Sequence, residues 1–239
     1  MNASSQNSQE QKLKTDLRVA ARAWLSKANV PVGLQQWVSF HHSPILQMHP
    51  TRWGNTPPIW RTHILRSSYA SAYLEENFRH HWHWRVGPWT SFQDPLMRLV
   101  ISSHQYLERL ATLLGVLIAA EKIRKAVDGK TVRLLREKLG PDLLNFARLK
   151  APQLNVTIPE KCQIKEWHPE HAAIILLEAG WLLVTCASGL LPVQEWRRFL
   201  SRVPKKIEGT WNQQRFSAED FQLSWQCVRT LISVTKEKK

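Results

Sequence analysis

Residues 94–127 read "DPLMRLVISSHQYLERLATLLGVLIAAEKIRKAV", and the fold class turns on them. Asp94 followed by Pro95 is a helix start. The carboxylate can accept from the free N–H groups of the first turn, and proline loses nothing there. Behind it Leu96, Leu99, Val100, Ser103, Leu107, Leu110, Leu114 and Leu117 recur at i, i+3, i+4, i+7, the stripe of one helix face. The run predicts a long helix with one buried side, ended by Gly129 just past its last turn. Gly115 sits inside it, where glycine costs about 1 kcal/mol relative to alanine. That cost is tolerable where a second helix must come close. Glu121 and Arg124 continue the stripe at i, i+3, and Lys125 lies four residues beyond Glu121, a spacing that permits an ion pair along the helix. Ile123 and Val127 continue a second apolar face.

Toward the C-terminus, the pattern predicts a helix over 131–139 stopped by Gly140-Pro141, and another over 142–149. "APQLNVTIPEKCQI", 151–164, reads as extended linker. Pro169 opens an apolar helix. Residues 172–193, "AAIILLEAGWLLVTCASGLLPV", are long enough to cross a bilayer. Glu178 near the middle would cost roughly 2.5–3.5 kcal/mol there, and "SGLLP" is a helix stop, so a buried core helix is expected, with Glu178 meeting a polar partner or water. Pro192 opens a helix carrying Trp196, Phe199 and Leu200 that stops before Pro204. "SAED", 217–220, resembles a capping box and opens a last helix through Val234.

Toward the N-terminus, residues 40–60 read as an ordered, irregular loop, and a short helix is expected over 60–78. Leu13, Leu17, Ala20 and Trp24 give an amphipathic helix over 12–27. Residues 1–11 read as a disordered, flexible N-terminal arm without a secretory signal, and 236–239 as a charged tail. The expected fold is all-α: one globular helical domain of about seven or eight helices over 12–235.

The chain has 12 tryptophans, only 9 glycines and a net charge of +14. Scarce glycine disfavours a many-stranded barrel or sandwich. The charge suits nucleic acid, anionic lipid or an acidic protein as partner. The cysteines, Cys162, Cys186 and Cys227, are odd in number and far apart, which suggests buried thiols in a reducing compartment.

"RHHWHWRVGPW", 79–89, is the densest chemistry in the sequence. His80, His81 and His83, with His41, His42 and His49, could supply metal nitrogens, but no H-E-x-x-H and no paired cysteines frame them. Arg79 and Arg85 with Trp82, Trp84 and Trp89 could stack bases, yet no RRM, KH, zinc-finger or helix-turn-helix pattern accompanies them. The favoured reading is packing at a core edge. No nucleophile elbow, phosphate loop or dinucleotide glycine pattern occurs. No enzyme activity, metal or cofactor is therefore expected. Basic residues cluster at Lys122, Arg124, Lys125, Lys130, Arg133, Arg136 and Lys138, and at Arg197, Arg198, Arg202, Lys205 and Lys206.

The pattern L-G-x5-E-x-I-R-K-x-V at Leu114, Gly115, Glu121, Ile123, Arg124, Lys125 and Val127 resembles the SctK proteins of type III secretion systems, the YscK/OrgA type. "FHHSPILQMHPTRW" is similar to that family's N-terminal segment at Phe40, Pro44, His49 and Pro50. "EWRRFLSRVP" is similar to its C-terminal W…R…P element, from Trp196 to Pro204. The resemblance implies an all-α, non-enzymatic cytoplasmic adaptor of the injectisome sorting platform. It implies contacts with the cytoplasmic domain of the inner-ring protein SctD and with the pod protein SctQ, and indirect links to the stator SctL and the ATPase SctN. It implies neither nucleic-acid binding nor membrane insertion, the chain lying at the cytoplasmic face of the bacterial inner membrane through SctD. On that reading Arg133 and Arg136, or Arg198 and Arg202, face an acidic partner, with Trp82 and Trp84 as aromatic anchors. A basic helical nucleic-acid-binding protein is the alternative.

Overall fold

A computed structural model describes residues 30–83, 91 and 93–236. The predicted helix over 12–27, the arm 1–11, Trp84, Arg85, Trp89 and residues 237–239 lie outside the described residues. Within them the chain forms ten α-helices and no strand. They are α1 Val32–His42, α2 Pro58–Arg66, α3 Ser68–Trp82, α4 Pro95–Val100, α5 His104–Lys125, α6 Gly129–Asn145, α7 Ala172–Ser188, α8 Val193–Leu200, α9 Lys205–Gln213 and α10 Ala218–Lys236. The contacts separate two compact units: Met1–Ser103 with Val193–Arg202, and His104–Pro192 with Val203–Lys239. The first holds α1–α4 and α8, the second the remaining five helices.

The long helix predicted from Pro95 is broken. Asp94 caps α4 as expected, its Oδ1 accepting from the Leu96 and Met97 N–H groups at 2.8 and 3.0 Å. The helix then stops at Val100, and Ser102 Oγ donates to the Arg98 carbonyl at 2.7 Å. A serine that satisfies a backbone carbonyl itself competes with helix continuation. The chain passes to the second unit at this break. At the other end α5 stops at Lys125, because Asp128 Oδ1 accepts from the Thr131 N–H at 2.8 Å and starts a new helix. Gly129 is thus the first residue of α6, not the stop of α5. Val127 lies between the helices, 86% exposed and off any apolar face, whereas Ile123 is fully buried.

In the second unit α5 packs against α7 and α7 against α10. Leu107, Leu110, Leu114, Ile123, Leu176, Trp181, Leu183 and Leu231 are buried in this unit. Gly140, at φ 79°, kinks α6 ahead of Pro141, so the two predicted segments form one bent helix. The stretch 151–164 is not a free linker. It forms 3-10 turns at Ala151–Leu154 and Glu160–Cys162, buries Cys162 and Ile164, and takes a bond from Cys227 Sγ at the Thr157 carbonyl. Helix α9 has no counterpart in the sequence reading. Its Trp211 is buried and stacks on Phe216 at 4.4 Å and Phe221 at 5.9 Å. The capping box before α10 is present in both directions: Asp220 N–H donates to Ser217 Oγ at 3.1 Å, and Ser217 N–H to Asp220 Oδ2 at 2.7 Å.

Pro169–Ser188 is long and apolar enough to cross a membrane by length and composition, and 61% of its 18-residue apolar window is buried inside the protein. Glu178 accepts from Lys206 Nζ at 2.6 Å. The expectation that this acid on the apolar helix finds a polar partner is met.

In the first unit Phe40, Ile45, Met97, Val100, Ile101 and Phe199 are buried. Helix α1 and 3-10 turns at Pro44–Gln47 and Pro50–Trp53 occupy much of the stretch read as irregular loop. The single helix expected over 60–78 is two, because Ser67 caps α3 by accepting from the Ala70 N–H at 3.2 Å.

Candidate interaction surfaces

Helix α8 carries "VQEWRRFL" and continues into Ser201 and Arg202. An apolar stripe through Phe199 and Leu200 suggests that its arginines face water. They do not: Glu195, Arg198 and Arg202 are 1%, 4% and 3% exposed. Arg202 donates Nη1 to the Val100 carbonyl and Nη2 to the Ser102 carbonyl. These oxygens lie at the end of α4, where helical carbonyls lack intrahelical partners. The planar guanidinium fork suits two acceptors at once. Burial pushes the Arg202 pKa down to about 9. Arg198 is held down to about 10 by burial, with Glu195 opposing and Arg79 adding to the fall. The expectation that Arg198 and Arg202 present charge to a partner is therefore corrected: both hold the interior of the first unit together.

His41 lies beside them, its Nε2 3.8 Å from Glu195 Oε1. Glu195 would favour an imidazolium, but burial, Arg198 and His42 win and hold the pKa down to about 3. The ring sits edge-on to Trp37 and Phe40, 4.7 and 5.2 Å between centroids. The motif residues nearby are structural. Phe40 is fully buried, Pro44 opens one 3-10 turn and Pro50 the next. The His49 imidazole Nδ1 lies 2.9 Å from Thr51 Oγ1 and accepts from the Thr51 N–H, and the His49 N–H donates to the Ser201 carbonyl at 2.9 Å. The two stretches that resembled one family, 40–50 and 196–204, thus meet through His49 and Ser201, about 150 residues apart in sequence.

Only part of the His/Trp stretch is described. Arg79–Trp82 form the last turn of α3, and His83 ends it in the left-handed region at φ 50°. His80 is exposed and pairs with Glu76 at 3.4 Å. Trp82 is half-buried under the Arg52 guanidinium, 4.8 Å from its ring, so this ring packs against a neighbour rather than standing free. Among the described residues no group of three His, Cys, Asp or Glu side chains is placed to hold a metal. The cysteines are free and buried. A hydrogen bond with Cys186, then burial, raises the Cys162 thiol, and burial pushes Cys227 up to about 11. Such thiols are poor nucleophiles.

Two surfaces remain. In the second unit Lys130, Arg133 and Arg136 are exposed along α6, as the sequence suggests. Nearby charges are partly neutralised, Lys125 by Glu121 at 2.6 Å and Lys138 by Glu137 at 3.5 Å. Arg124 is exposed with them. In the first unit Ile59, Trp60, Tyr69 and Tyr73 stand out on α2 and α3 at 59–84% exposure. Sequence reading missed this face. A signal was available: no Asp or Glu occurs between Asp16 and Glu75, a long run in which aromatic and basic residues have no acidic neighbours.

Gly115, the centre of the third motif, lies at the crossing of α5 and α7. A Cβ there would fall on the Leu176 carbonyl, and one on Gly180 would fall on the Ala111 carbonyl. Each helix meets the other through its own glycine. A model of the family described as "YOP proteins translocation protein K (YscK)" matches residues 36–222. No curated protein and no solved structure matches the chain. The matched span takes in the buried His41–Glu195–Arg202 interior, the glycine crossing and both exposed surfaces, and the chain belongs to this family, the SctK proteins of type III secretion.

Proposed function

We propose that this protein is a non-enzymatic cytoplasmic adaptor that joins the sorting platform to the injectisome base, binding SctQ on one side and the cytoplasmic domain of SctD on the other. The family match over 36–222 carries the reading. SctL and SctN are then linked only through the platform, and SctD holds the chain at the inner-membrane face. The arrangement of side chains supports a binding role. The thiols are buried, His41 is held neutral, and what the two units offer to solvent is charge and aromatic area.

The test is reconstitution. Purified chain, SctQ and the SctD cytoplasmic domain from the same system should give a ternary complex by size-exclusion chromatography with light scattering. Binding to neither protein would remove the adaptor role. The charge of +14 supports nucleic-acid binding as the second reading. Its signature is affinity for duplex DNA that falls steeply between low and moderate salt, with a defined site size.

A further inference from the structure

Helix α2 has nine residues and not one of them is buried. A helix this short is marginal on its own and owes its stability to packing of an apolar side. It leans on α3, yet Ile59 and Trp60 are 65% and 59% exposed, and Tyr69 and Tyr73 on α3 are 84% and 63% exposed. Tyr69 and Tyr73 are one helical turn apart, as are Ile59 and His63, so each helix offers a stripe rather than a scattered residue. Trp60 and His63 are edge-on at 6.3 Å. Aromatic area of this kind without a partner marks an interaction site.

The charges around it identify the partner. Arg66 is exposed, and Arg61 is half-buried, its Nε and Nη1 bonded to the Thr56 and Pro50 carbonyls. The described part of this unit has four carboxylates: Glu75, Glu76, Asp94 and Glu195. Glu75 and Glu195 are buried, Asp94 caps α4, and Glu76 faces His80. No lysine occurs between Lys27 and Lys122 either. A surface rich in Trp, Tyr and Arg and poor in Lys, Asp and Glu has the composition of a protein interface core. A face with no free carboxylate of its own is complemented by a partner that supplies them.

We infer that the α2–α3 face docks an acidic protein surface, with Trp60 and Tyr73 entering an apolar centre and Arg66 meeting carboxylates at its rim. A second copy of this chain fits worse, because a two-fold interface uses the same patch twice and would bring two sets of arginines together without a carboxylate to meet them. The inference rests on the adaptor reading, in that the acidic partner is SctQ or SctD.

The experiment uses the full-length chain with purified SctQ and purified SctD cytoplasmic domain as probes, by titration calorimetry at low and moderate salt. Trp60→Ala with Tyr73→Ala should weaken binding to one of the two proteins at least tenfold, with helix content and melting temperature unchanged. Arg66→Glu should weaken the same interaction and flatten its salt dependence, and it serves where the aromatic double variant misfolds. If the wild type binds and both variants bind equally well, this assignment falls while the adaptor reading stands. If the wild type binds neither protein, the adaptor reading falls and takes this assignment with it. A wild-type dimer that the aromatic variant makes monomeric would assign the face to self-association. Loss of binding to duplex DNA or to phosphatidylserine vesicles, with both proteins still bound, would assign it to a polyanion. Either result overturns the proposal.

Discussion

Arg202 spends its guanidinium on two backbone carbonyls, Val100 and Ser102, inside the first unit. Replacing it with methionine keeps the stem and leaves both oxygens without their donor. Leaving a buried acceptor without its donor costs about 1–3 kcal/mol, and Arg202→Met should lower stability by about that much in urea denaturation. Arg202→Lys should recover only part, because a single ammonium lacks the two-pronged fork. His41, nearby, is held to a pKa of about 3 by burial, Arg198 and His42. The unfolded chain takes up that proton below about pH 6.5 while the folded chain waits until about pH 3, so protonation favours unfolding between the two values. The stability due to a neutral His41 is present above about pH 6.5 and is lost as the pH falls through that window. Denaturation series should show a loss on the order of 2–3 kcal/mol between pH 6.5 and pH 4. His41→Phe should flatten that slope whatever it does to the stability at pH 7. An unchanged slope would mean that His41 is protonated in the folded chain.

Among the elements, α5 and α7 set the second unit, and their spacing is decided by two glycines. Since a Cβ on Gly115 would meet the Leu176 backbone and one on Gly180 the Ala111 backbone, alanine at either position must push the helices apart. Backbone cannot move aside as a side-chain tip can. Gly115→Ala and Gly180→Ala should each destabilise by at least about 1–3 kcal/mol, against the helix-propensity gain of about 1 kcal/mol. Chemical denaturation with far-UV circular dichroism reads this. Because both changes open the same gap, the double variant should lose less than the sum of the singles. A rise in melting temperature for either single variant would contradict the close crossing.

At the scale of the whole molecule, charge is divided between burial and display. Arg198 and Arg202 are consumed inside the first unit, whereas Arg133 and Arg136 remain exposed on α6. Arg133→Glu with Arg136→Glu should therefore leave the melting temperature within about 2 °C, as expected for surface changes worth about ±0.5 kcal/mol. On the proposed adaptor reading it should also slow association with whichever of SctQ and SctD presents the more acidic face, since rim charges act mainly on the on-rate and its salt dependence. Surface plasmon resonance at two salt concentrations separates that from a change in dissociation. The same pair of substitutions at Arg198 and Arg202 should instead unfold the first unit.

The helical class, the Asp94 cap, the Ser217–Asp220 box and Gly115 of the crossing were all legible in the sequence. Each depends on neighbours within a turn or on a period of 3.6 residues. Gly140-Pro141, by contrast, reads as a helix stop and is a bend. The family resemblance was legible too, because its motif residues keep fixed spacings along the chain. Tertiary structure alone decided which charges are displayed. Arg198 and Arg202 look like a basic surface run until α8 packs, and then carbonyls about 100 residues away, at Val100 and Ser102, claim Arg202. Likewise the run at Asp94 promises one helix, and Ser102 and the start of a second unit break it. Local sequence carries local hydrogen bonding and apolar period. Whether a polar side chain is buried depends on partners supplied by distant segments, and those partners exist only once the chain has folded.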